Sequence, residues 1–184
     1  MTYKESLNIA FLKTDSEASD YDSRLFSVLA NEAQMYIAKY GTHIVRKAEY
    51  NVETLPFSIQ LPDDFYRVAP LGLVRTEDEQ AGVEYYIGED NVLNIEETGD
   101  FVFYYWALPK DLTKMSADEL ADYEYEVSPH TQVAIPAFIG YQLIKTDDVQ
   151  LAQTLMNEWN KYLSLFDDKT KAVKRKIRNS VRWW

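Results

Sequence analysis

The chain has 184 residues, 46% of them hydrophobic and 27% charged, enough for one domain with a real core; disorder throughout is excluded. It contains no cysteine, which rules out a disulfide framework and a thiolate metal site. The formal charge of −11 is uneven: from Asp168 onward seven Lys and Arg stand against one Asp, a net +6, which leaves −17 on residues 1–167.

The opening MTYKESLNIAFLKTDSEASD has neither a cleavable apolar segment nor an Arg-rich transit pattern. No apolar run approaches the roughly 20 residues of a membrane span, so the chain reads as soluble and untargeted. Tyr3 to Leu12 suits a short helix, and the polar stretch Thr14 to Asp20 breaks it and offers N-cap residues. From Tyr21 the apolar positions Leu25, Val28, Leu29, Ala33, Tyr36, Ile37 and Tyr40 fall at helical spacing, with Gly41 as C-cap.

Extended segments follow. His43 to Val52, Phe57 to Leu61 and Tyr66 to Arg75 read as strands, the last two meeting at Leu61-Pro62-Asp63-Asp64-Phe65. That corner is turn chemistry: Pro62 fixes φ, and the aspartates are placed to accept from backbone N–H groups just ahead. Val83 to Ile87 and Val92 to Ile95 flank the turn Gly88 to Asn91, and Phe101 to Trp106 follows Gly99-Asp100. These runs predict an antiparallel meander of about five strands.

Asp111 to Val127 is acidic and loop-like, with a helical turn at Ala117 to Tyr123. Ser128-Pro129 starts a helix that is apolar almost all round, through Val133, Ile135, Phe138, Ile139, Tyr141, Leu143 and Ile144. Pro136 inside it predicts a kink or break after Ile135. After Asp147-Asp148 a further helix carries Ala152, Leu155, Met156, Trp159, Tyr162, Leu163 and Phe166 on one stripe. The order gives an α+β fold, a helical bundle with an inserted small antiparallel β-meander. Residues 1–167 form one domain, with helices at about 3–41 and 117–167 and the β insertion at about 43–107; residues 168–184 are a basic C-terminal tail.

Enzyme motifs are absent. The two histidines, His43 and His130, read as polar residues and have no metal-binding spacing; the six glycines are isolated and build no phosphate loop. The carboxylate pairs Asp63-Asp64, Glu96-Glu97 and Asp147-Asp148 are sequence neighbours, whereas a catalytic pair faces itself across a substrate. Turns and helix starts explain them. Tyr85-Tyr86 and Phe103-Tyr104-Tyr105-Trp106 offer a stacking platform, but alternation along a strand sends half of such a run into a core. No catalytic, cofactor or metal residue is expected.

The corner LPDDFYRV, the segment EYEVSPHTQVAIPAFIGYQLIKTDD and the following VQLAQTLMNEWNKYLSLF together resemble the head-to-tail connector (adaptor or neck) proteins of tailed bacteriophages. The likeness covers most of residues 20 to 166. It implies a structural protein of the virion neck, assembled in the bacterial host cytoplasm. The implied assembly is a homo-oligomeric ring, commonly a dodecamer in that family, docked beneath the portal protein and continuing the DNA channel toward a tail or stopper protein. Double-stranded DNA is then a passing, non-specific neighbour. The resemblance implies no catalysis, no cofactor and no membrane. It transfers the structural corner Leu61, Pro62, Asp64, Phe65 and Arg67, together with Ile135 to Gly140 and Asp147-Asp148.

The tail residues Lys169, Lys171, Lys174, Arg175, Lys176, Arg178, Arg182, Trp183 and Trp184 depart from the family pattern. Their charge and terminal indoles predict ordering against an acidic, partly apolar groove on the portal or a neighbouring subunit. Two other classes of function suit parts of the sequence: a small carbohydrate- or peptide-binding module using the aromatic sheet, and a nucleic-acid binder acting through the basic tail.

Overall fold

The computed structural model describes residues 1–77 and 82–174, with side chains described through Leu165. Two units divide the chain: a helical unit of Met1–Thr42 and the residues from Pro109 onward, and a β unit of His43–Leu108. Helices and antiparallel sheets are both present, so the fold is α+β.

In the helical unit α1 spans Tyr3–Thr14 and starts in a capping box between Thr2 and Glu5. The second helix, α2, spans Ser23–Tyr40 and is capped by Asp22, which accepts from the Arg24 N–H at 2.9 Å. Its buried stripe is Phe26, Leu29, Ala30, Ala33, Gln34, Ile37 and Ala38. The expected stripe is therefore rotated: Leu25, Val28, Tyr36 and Tyr40 are exposed. Three alanines decide this, because small side chains let a neighbouring helix approach more closely than a face of Leu and Tyr would. Gly41 does follow the helix, but with φ −104° it is not left-handed. Its requirement is space, since a Cβ there would lie 2.9 Å from the Ile37 carbonyl oxygen.

After α3 (Ala117–Ala121), the segment around Ser128-Pro129 yields two helices, α4 (Pro129–Gln132) and α5 (Ile135–Ile144). The break comes before Ile135 and not after it. Pro136 accordingly sits in the first turn of α5, where a missing N–H leaves no helical bond unmade. Ser128 occupies the N-cap position of α4 without a side-chain cap bond. Helix α5 is buried as its composition predicts and packs against α1, α2 and α6 (Val149–Lys174). Gly140 makes this possible: a Cβ would lie 3.1 Å from Leu155 and 3.2 Å from Thr14. Asp148 caps α6 by accepting from the Leu151 N–H at 2.9 Å, and Ala152, Leu155 and Trp159 of its stripe are buried. The side chain of Phe166 lies outside the described residues.

The acidic stretch Asp111 to Val127 is more than a loop. Tyr123, Tyr125 and Val127 are buried, and the Tyr3 N–H donates to the Tyr123 carbonyl at 2.8 Å. Gln34, fully buried on α2, donates to the Lys110 carbonyl at 2.7 Å and accepts from the Tyr123 hydroxyl at 3.1 Å. Ser6 and Tyr125 share a hydroxyl bond of 2.7 Å, and Gln132 donates to the carbonyls of Tyr125 and Val127.

Among the described residues the β unit holds six strands: β1 (Ile44–Val52), β2 (Phe57–Gln60), β3 (Phe65–Arg75), β4 (Tyr85–Ile87), β5 (Val92–Ile95) and β6 (Gly99–Ala107). They form two antiparallel sheets of three, ordered β1-β6-β3 and β2-β5-β4, so the expected meander is not the topology. Only β4 and β5 are hydrogen-bonded neighbours in sequence order, joined by the predicted turn, where Asn91 takes φ 56°. Burial explains the rearrangement. Strand β6 puts Phe101, Phe103, Tyr105 and Ala107 into the core, and such a strand is satisfied when long partners flank both its edges. Both sheets feed one core, in which these residues meet Leu73, Leu93 and Ile95.

Candidate functional site

The Leu61 to Arg67 corner lies inside the β unit, where it leaves β2 and enters the start of β3. Leu61 is buried and its N–H donates to the Asn91 carbonyl at 2.9 Å, while the Phe65 N–H closes the turn on the Pro62 carbonyl at 2.8 Å. The Asp64 carboxylate reaches across the strands. It pairs with the Arg46 guanidinium on β1 and accepts from the Tyr105 hydroxyl on β6 at 3.0 Å. Burial, followed by this bond to a carboxylate, pushes the Tyr105 hydroxyl up to about 12. The Asp64 carbonyl also accepts from the Leu108 N–H at 2.8 Å, so one residue ties the corner to β1, to β6 and to the segment leaving β6.

Around it the rings close ranks. Phe65 lies 6.1 Å from Phe103 and 6.0 Å from Tyr105, centroid to centroid. On the opposite face of β6 the half-buried Trp106 carries the His43 ring stacked at 3.7 Å and the Arg67 guanidinium at 5.6 Å. The aromatic run of β6 is thus divided, with Phe103 and Tyr105 in the core and Tyr104 and Trp106 outward.

One carboxylate of each acidic pair is likewise engaged in structure. Glu97 pairs with Arg75, Asp148 caps α6, and Asp63 and Glu96 are exposed. His130 is exposed in the first turn of α4. Among the described residues no group of three or more His, Cys, Asp or Glu side chains could hold a metal ion. No described helix is long and apolar enough to cross a membrane.

Two surface features remain. In the β unit a cleft of about 360 Å³ is lined by Leu55, Pro56, Phe57, Tyr86 and Ile95, with Tyr86 more than half exposed. In the helical unit a groove of about 350 Å³ runs beside Tyr36, Tyr40 and Phe138; the rings of Tyr36 and Phe138 lie 5.7 Å and 5.0 Å from the buried Trp159. The stripe shift in α2 exposes these tyrosines, and an amphipathic reading that assigned them to the core could not find the groove.

The backbone of α6 continues through Lys169, Lys171 and Lys174, so the expected tail begins as helix. Arg175, Lys176, Arg178, Arg182, Trp183 and Trp184 lie outside the described residues. Compared with known proteins, the chain matches no family model and no curated sequence.

Proposed function

We propose that the chain is a structural head-to-tail connector of a tailed bacteriophage. It forms a dodecameric ring beneath the portal protein, in the virion neck, and continues the DNA channel to a tail or stopper protein. The observation that carries this reading is the architecture: a helical unit made from both ends of the chain, with a β unit inserted at His43–Leu108 that contains the whole Leu61 to Arg67 corner. Helices at both ends of the chain with strands between them suit that resemblance, although the corner follows two strands and the strands do not form a meander. The side chains able to do chemistry support a structural role, since Asp64, Glu97 and Asp148 are each held by an ion pair or a helix cap. The net −17 of residues 1–167 gives passing duplex DNA little to hold.

The test is docking to capsids that carry only the portal. The full chain should sediment with such capsids, and a chain lacking Lys174 to Trp184 should not, while keeping its melting temperature. Truncated protein that still completes the capsids would remove the tail from the reading. Absence of binding by the full chain would overturn it, and salt-sensitive retention on DNA or a low-micromolar glycan or peptide ligand would then point to the binding-module classes.

A further inference from the structure

The two outer edges of the β1-β6-β3 sheet are built differently. Strand β3 is guarded: it carries Pro70, its register against β6 shifts between Phe65 and Arg67, and it shifts again between Val68 and Leu73. Proline and bulges are devices that stop an edge from accepting another strand. Strand β1 has neither. It runs nine residues, Ile44 to Val52, in unbroken register with β6, and no described strand pairs with its other side. Val45, Lys47, Glu49 and Asn51 are exposed along it, and the half-buried Ile44, Ala48 and Tyr50 flank the core.

We propose that this edge is a self-association site, on which β1 of a second copy of the chain pairs antiparallel about a two-fold axis at Ala48. The sequence IVRKAEYNV is self-complementary in that register. Lys47 of one copy faces Glu49 of the other, and the reverse pair forms symmetrically; Val45 faces Asn51, and Ile44 faces Val52. The same axis gives full nine-residue overlap, because Ala48 is the midpoint of the strand. Moving the axis to Lys47 or Glu49 sets like charges opposite each other and shortens the overlap, so charge and length select one register. Within a single copy Lys47 and Glu49 already meet at 2.6 Å, with side chains 59% and 67% exposed; pairing exchanges the two internal contacts of the two copies for two across the strands. The product is a continuous six-stranded sheet. An isologous contact closes at two copies, so it describes the free chain and is independent of the head-to-tail surfaces of a ring.

The experiment is sedimentation equilibrium of the full chain with Lys47→Glu, Glu49→Lys and the double reversal. The wild-type chain should dimerise with rising concentration, and each single reversal should weaken the dimer by about tenfold. The double reversal should restore it, as should mixing the two single variants, in which no copy has an internal Lys–Glu contact. Because the chain has no cysteine, Ala48→Cys should give a disulfide-linked dimer on oxidation, whereas Asn51→Cys should not. A monomer at all concentrations, a dimer indifferent to single reversal, or mixed variants no stronger than either alone would overturn the proposal. So would an oxidised Ala48→Cys dimer no more abundant than that of Asn51→Cys. None of these outcomes bears on docking to portal-bearing capsids.

Discussion

The helical unit and the β unit fill their interiors with opposite chemistry. Ser6, Thr14, Gln34, Thr131 and Gln132, the buried polar residues other than tyrosine among those described, all lie in the helical unit. The β unit is filled with Phe101, Phe103, Leu73, Leu93 and Ile95, and a partly buried polar contact within it joins the Tyr105 hydroxyl to Asp64. The reason is where the backbone goes. Strands bond to each other and leave side chains free to be apolar, whereas the irregular segment from Pro109 to Ser128 brings carbonyls into a helical interior, where a side chain must meet them. Gln34 and Gln132 are those side chains.

Removing a large buried ring from each unit tests whether each core carries its own stability. Trp159→Ala in the helical unit and Phe103→Ala in the β unit should each cost about 3–5 kcal/mol, read as a fall in denaturation midpoint. An unchanged melting temperature for either would remove that residue from the core.

Polar deletion should then separate the units. Gln34→Leu removes the bonds Gln34 makes to the Lys110 carbonyl and the Tyr123 hydroxyl and should cost about 1–3 kcal/mol by urea unfolding. A neutral effect would mean that the buried amide is not what holds the acidic segment in place.

Tyr105→Phe should cost less, about 1 kcal/mol near neutral pH, because Asp64 keeps its Arg46 partner. Its larger signature is at alkaline pH. The Tyr105 hydroxyl is raised from an ordinary 10.0 to about 12 in the folded protein, so above pH 10 the unfolded chain loses this proton first. Stability should therefore fall as pH rises from 10 to 12, and Tyr105→Phe should flatten part of that fall. Tyr3, also raised to about 12, and Tyr125, Tyr50 and Tyr85, each raised by burial, contribute to the same fall. Identical alkaline profiles for wild type and Tyr105→Phe would refute the assignment.

Local signals in the sequence were sufficient for the elements themselves. Helical spacing placed the second and last helices, and the Gly88 to Asn91 turn marked a hairpin, because these depend on contacts a few residues apart. The same signals placed the corner between two strands but could not say where its carboxylate would go. Asp64 reaches Arg46 and Tyr105, which are 18 and 41 residues away, and no local rule selects such partners.

What the sequence alone determined, then, is the α+β composition, the insertion of strands between helices, and the division of charge between an acidic body and a basic tail. Tertiary structure decided the rest. It set β6 between β1 and β3 because the most buried strand needs partners on both edges. It turned the alanine face of α2 inward and left Tyr36 and Tyr40 outside, because close helix approach favours the smaller side chains. It also moved the helix break ahead of Pro136, into the residues between α4 and α5, where a proline in a first turn removes no bond. Each outcome is a competition between distant surfaces for the same buried space, and a one-dimensional pattern does not contain the second competitor.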